Sequence, residues 1–166
     1  MIAENLEKAY ENGEDREARR NMMIASTIGG MAFISSNVGA VHAFAETVGA
    51  WFDTPHGVAN SLFLPYIMEF NIPACPERFA DIADAMGIER EESMSDEQYA
   101  LKAVEYVKAL NRKLNIPTIK EIKGITEERF EAIAERSANN VLSNDNARKI
   151  TKEDYLELLK KAYNEY

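Results

Sequence analysis

Three polar side chains stand out against an apolar background in the stretch Gly39-Ala-Val-His-Ala-Phe-Ala-Glu-Thr-Val-Gly-Ala-Trp-Phe-Asp-Thr-Pro-His-Gly57. They are His42, Glu46 and His56, and the two histidines are the only ones present. His42 and Glu46 are four residues apart, so a helix puts them on one face, where both can turn toward one ion. His56 follows Pro55, which favours the first turn of a helix. The partial positive charge of a helix N-terminus disfavours imidazolium, and neutral imidazole is the form that binds a metal. The chemistry these types suggest is ligation of a divalent metal by His42 and His56. Glu46 reads either as an exposed acid or as a third ligand and catalytic group. The competing reading is structural, because a histidine on an apolar helix is commonly a hydrogen-bonded core or surface residue.

The elements that position these residues read as helices nearly throughout. Ile2, Leu6 and Tyr10 lie on one face of a short first helix, which Asn12-Gly13 ends. Asp15 caps a long helix to about Ser35, whose run from Met22 to Phe33 is so apolar that it should be buried on all sides. Asn37 is expected to cap a helix over 38–52, and Pro55 to open another over 55–70 that Pro65 kinks. Glu77 to Met86 should close on Gly87, and Ser95 with Gln98 forms a capping box. The helix after Ser95 must stop near Asn115, ahead of Pro117. Thr118 with Glu121, Thr126, and Thr151 with Asp154 mark further starts. With no β-alternating run, the expectation is an all-α, bundle-like array of seven to nine helices forming one domain over 1–166.

The bulk composition narrows the partners. The chain has 166 residues, 46% apolar and 28% charged, enough to bury a core without disulfides. Its net charge of −9 argues against nucleic acid and anionic membrane surfaces. A single cysteine, Cys75, no apolar leader and no run long enough to span a bilayer predict a cytoplasmic chain.

Gly30-Met-Ala-Phe33, Val41-His-Ala-Phe-Ala45, Val48-Gly-Ala50, Thr54-Pro-His-Gly-Val-Ala-Asn60 and Leu64-Pro-Tyr-Ile-Met-Glu-Phe-Asn71 together resemble the C-terminal signature of the iron-containing alcohol dehydrogenase family. The fourteen-residue step between the histidines matches, and Pro76-Glu-Arg-Phe79, Ile116-Pro117 and Asn146-Ala-Arg-Lys-Ile-Thr151 follow in the family's order. The resemblance implies a helical half holding a divalent metal, iron or zinc, through one aspartate and three histidines. It also implies an N-terminal α/β half binding NAD(P). His42 and His56 take two of the histidine positions, and Phe33, which by itself reads as core, falls on the nicotinamide side. The chain has no Asp-x-x-x-His for the other two ligands, so the nucleotide-binding half and those ligands are expected from a partner. Glu46 stands where the family commonly has a histidine, Ala147 where it has a proline, and Leu142 where a cysteine is frequent.

Three readings follow. The chain is the metal-binding half of such a dehydrogenase, with weak or absent metal and no turnover alone. Alternatively it is a non-catalytic helical interaction module that forms a homo-oligomer or binds another chain through the apolar faces near Met22–Phe33 and Trp51-Phe52. A small hydrolase built on His42, Glu46 and His56 ranks last, because nothing completes its metal shell.

Overall fold

A computed structural model describes residues 1–165; Tyr166, the last residue of the expected domain, lies outside the described residues. The described residues form eight α-helices and no strand, as the periodicity predicts: α1 (Ile2–Glu11), α2 (Arg16–Ser36), α3 (Ala40–Phe52), α4 (His56–Asn71), α5 (Pro76–Ala85), α6 (Asp96–Lys113), α7 (Phe130–Ala138) and α8 (Lys152–Asn164). Four short 3-10 turns join them, including Val141–Asp145, which no sequence signal marked. No single helix among the described residues is long and apolar enough to cross a membrane.

Most ends form for the local reasons expected. Asp15 accepts from Ala18 N–H at 3.0 Å, and the Ser95, Thr118 and Thr151 capping boxes are all formed. Gly87, at φ +75°, closes α5: its N–H donates to the Asp84 carbonyl (2.9 Å) and Ile88 N–H to that of Ala83 (3.2 Å). Asn37 departs from expectation. It does not cap α3 but terminates α2 at φ 60°, and its amide donates to Asp145 at 2.7 Å. Thr126 likewise opens only the 3-10 turn Glu127–Arg129, without a side-chain cap bond, and α7 begins after it.

Helix α4 runs through Pro65 without a break. Proline has no N–H for the carbonyl four residues back, that of Ser61. The Asn111 amide of α6 donates to that carbonyl at 2.7 Å, replacing the missing bond from a neighbouring helix.

The core has two parts that share α4. In the first, α3 and α4 pack with α7 and α8 around Phe44, whose ring stacks on Phe63 at 4.1 Å and meets the Tyr155 ring edge-on at 4.6 Å. In the second, Met68 and Ile72 meet Phe79, Ala83, Tyr99 and Val104 of α5 and α6. Helix α2 belongs to neither. It packs mainly on α1, through Ala18 and Ala25 and an Asn21–Asn5 amide bond of 3.0 Å. The expectation of burial on all sides therefore fails: Met31 is 68% exposed, Phe33 54% and Ile34 80%. The run is apolar, but no element of this chain crosses its outer face.

Candidate metal centre

The site lies where α3 and α4 both begin. Helix α3 starts against Asn146, whose Oδ1 accepts from Ala40 N–H at 3.3 Å. A side chain at Gly39 would meet that oxygen at 3.0 Å and the Asn146 backbone at 3.2 Å, so only glycine lets the loop come so close. Asn146 and Asn71 exchange two amide bonds, of 2.7 and 3.1 Å, and Asn146 Nδ2 also donates to the Arg148 carbonyl. Arg148 in turn donates to the Phe70 carbonyl and lies over the Phe70 ring. The first turn of α3, which carries His42, is thus tied to the end of α4 and to the loop before α8.

The connection from α3 to α4 doubles back. Asp53 closes α3 in the left-handed region at φ 49°, and the Thr54 carbonyl passes Gly49, where an added Cβ would stand 3.3 Å from it. That return brings His56, the first residue of α4, beside His42. The ring centroids are 5.3 Å apart and the planes are inclined at 52°. Two imidazoles on one tetrahedral ion, with metal–nitrogen bonds of about 2.0–2.1 Å, have centroids about 5.3 Å apart. The centroid spacing is compatible with two ligands of a single ion, and it is also an ordinary distance for two packed rings.

His42 is half-buried and His56 exposed. Burial lowers the pKa of His42, the neighbouring His56 lowers it further, and Glu46 opposes both. The net effect favours the neutral, metal-binding form. Asn60, one turn along α4, donates through Nδ2 to the His56 carbonyl at 2.9 Å, and the same nitrogen lies 3.1 Å from His56 Nε2.

Glu46 is exposed, and its carboxylate accepts from the Asn140 amide at 2.7 Å. The described residues contain no group of three His, Cys, Asp or Glu side chains arranged to hold a metal ion, so a His42–Glu46–His56 ligand trio is not assembled here. Phe33 projects from the last turns of α2 and is not core. Trp51 is exposed beside Phe52, which packs under Gly124.

Sequence reasoning missed the roles of Asn60 and Asn140. The four-residue step from His56 to Asn60 was a usable signal; Asn140 lies 94 residues from its partner Glu46, and nothing local joins them.

Comparison with known proteins shows the family of the chain. The model of the Fe-containing alcohol dehydrogenase family, C-terminal, matches residues 1–163. This chain belongs to the iron-containing alcohol dehydrogenase family. It is 37% identical over 163 residues to the 1,3-propanediol dehydrogenase of Citrobacter freundii, a match covering 98% of this chain and 42% of that protein. It is 38% identical over 149 residues to the lactaldehyde reductase of Escherichia coli, covering 90% of this chain and 39% of the relative. Among solved structures, an alcohol dehydrogenase from Oenococcus oeni superposes with a TM-score of 0.92 at 39% identity, over 98% of this chain and 42% of the other. The chain corresponds to the C-terminal domain of these dehydrogenases and spans less than half the length of the relatives it matches.

Proposed function

We propose that this chain provides His42 and His56 as two ligands of the catalytic metal in an NAD(P)-linked alcohol dehydrogenase. The remaining ligands and the nucleotide site would come from the part of the relatives' length that this chain does not span. The observation that carries the reading is the 5.3 Å pairing of the chain's only two histidines, at family motif positions. A divalent metal bound there, iron or zinc, supplies Lewis acidity toward the oxygen of the alcohol. The chain's own residues do the rest on this side of the cleft. The Asn146 and Asn71 amides hold the turn that carries His42. Phe33 presents an exposed ring for the nicotinamide side, where hydride is exchanged. Glu46, on the His42 face of α3 and held by the Asn140 amide, would act as the carboxylate base that takes the hydroxyl proton of a bound alcohol. Two imidazoles alone give weak metal binding, and the isolated chain is expected to show no turnover.

The test is complementation. The chain is mixed with the nucleotide-binding half of the Citrobacter freundii 1,3-propanediol dehydrogenase, and metal-dependent, NAD(P)-linked alcohol oxidation is measured. Activity that needs both parts and disappears in His42→Ala or His56→Ala supports the reading. Activity unaffected by losing both histidines overturns it.

A second reading, an interaction module, is favoured by one observation. The outer face of α2 shows Met23, Met31 and Ile34 to solvent, and an apolar groove of about 610 Å³, lined by Ile28, runs beneath it between α1, α4, α5 and α6. Such a face is a binding surface. It serves either a homo-oligomer or a separate dehydrogenase half. Light scattering of the purified chain, alone and with that half, distinguishes the two.

A further inference from the structure

Asn60 sits one helical turn beyond His56, and its amide touches that residue twice: 2.9 Å from Nδ2 to the His56 carbonyl and 3.1 Å from Nδ2 to the ring Nε2. The carbonyl settles which end of the amide faces the histidine. An oxygen 2.9 Å from a carbonyl oxygen would be repulsive, so the NH₂ group stands there, with one hydrogen for each acceptor. Nε2 therefore accepts a hydrogen bond. In a neutral imidazole one nitrogen carries the proton and the other the lone pair. With the Nε2 lone pair engaged by Asn60, the proton is on Nδ1, and neither nitrogen is free to bind a cation. Asn60 Oδ1 is buried and without a hydrogen-bond partner, so turning the amide over would put its oxygen against the His56 carbonyl to relieve that atom.

We propose that Asn60 is a latch on His56: its amide engages the lone pair that a metal needs, and a divalent cation enters only by displacing that hydrogen bond. The role rests on the reading of His42 and His56 as metal ligands. Asn60 touches neither substrate nor metal; it acts through the tautomer and ring position of His56, as groups behind metal-binding histidines commonly do. Its sign is unusual for such a partner, because a donor behind the ring opposes ligation where an acceptor would favour it. His42 has no partner of this kind among the hydrogen bonds of the site, so the two ligands differ: His42 is offered and His56 is latched.

The test starts without metal. Long-range ¹H–¹⁵N spectra of the ¹⁵N-labelled full chain, recorded above the ordinary imidazole pKa, report which nitrogen of each histidine carries the proton. His56 is expected to carry it on Nδ1. Asn60→Ala should release the ring to the Nε2–H form that an unrestrained imidazole prefers, and Asn60→Asp should enforce that form by accepting from Nε2. A wild-type His56 protonated on Nε2 overturns the latch outright. Zinc is then titrated into wild type and Asn60→Ala, followed at the same resonances. One neutral hydrogen bond is removed, so the affinity at His56 should rise by about 2- to 10-fold. An unchanged or weaker affinity in Asn60→Ala overturns the proposal. If zinc moves neither histidine in either protein, the latch as a gate to metal is overturned, while the metal reading, which expects weak or absent metal in the chain alone, stands or falls on the complementation. An altered tautomer with intact zinc binding likewise removes the latch and leaves the metal reading in place.

Discussion

Helices α2 and α3 are neighbours in sequence and both are rich in apolar residues, yet they take opposite places in the fold. Phe44, Ala45 and Val48 of α3 are buried between α4, α7 and α8, whereas Met31, Phe33 and Ile34 of α2 face solvent. The difference lies in what crosses them. Helix α3 is covered chiefly by α4 and α7, which the same chain supplies later, whereas α2 packs mainly on the short α1. An apolar run specifies that a face is to be covered; it does not say which polypeptide covers it. Helix α3, held in the core along its Phe44 face, carries His42. Helix α2 is open on one side.

The contrast can be broken most directly at Phe44. Phe44→Ala should cost about 3–5 kcal/mol in urea denaturation, because a closed aromatic cluster cannot collapse around the cavity. If it costs no more than an α2 substitution, the two helices are not different environments. Alkaline unfolding sharpens the same point. Burial raises the Tyr155 pKa from 10.0 to about 12, against a smaller opposing effect of its hydrogen bond with Ser143. A group whose folded pKa is raised contributes its full stability below the unfolded value and loses it as pH climbs through the folded one. About 2–3 kcal/mol should therefore vanish between pH 10 and 12, and Tyr155→Phe should remove that dependence. Asn146→Ala strips the start of α3 and leaves the Asn71 amide without its partner, for a loss of about 1–3 kcal/mol. The same change should lower zinc affinity by loosening the His42 turn; equal affinity in the variant would separate the amide lock from the site. The smallest effect is expected on α2. Ile34→Ala should alter the stability of the isolated chain by no more than about 0.5 kcal/mol. Its effect should appear instead as weaker association with a dehydrogenase nucleotide-binding half, read by light scattering.

Much of this was legible residue by residue. The caps at Asp15, Ser95 and Thr151 and the glycine stop at Gly87 are local chemistry, complete within a few residues, so reading them needed no knowledge of the fold. His42 and His56 were legible for the same reason, since their types, spacing and flanking motif are all in one segment. Asn37 misled because a cap residue has the same identity whether it opens one helix or closes another. Asn140 was invisible because its partner Glu46 is distant in sequence. Pro65 was a half-success: its missing hydrogen bond was foreseeable, but the repair by Asn111 comes from another helix.

The amino-acid sequence by itself determined an all-α chain, its helix ends, its two candidate metal ligands and its family. Only the tertiary structure decided that the two rings stand 5.3 Å apart, that Asn60 engages His56 Nε2, that Glu46 turns to Asn140, and that the apolar run of α2 lies open. The physical reason is range. Capping, helical periodicity and side-chain chemistry act within a turn or two of the backbone, whereas burial and ligand convergence depend on where distant segments come to rest.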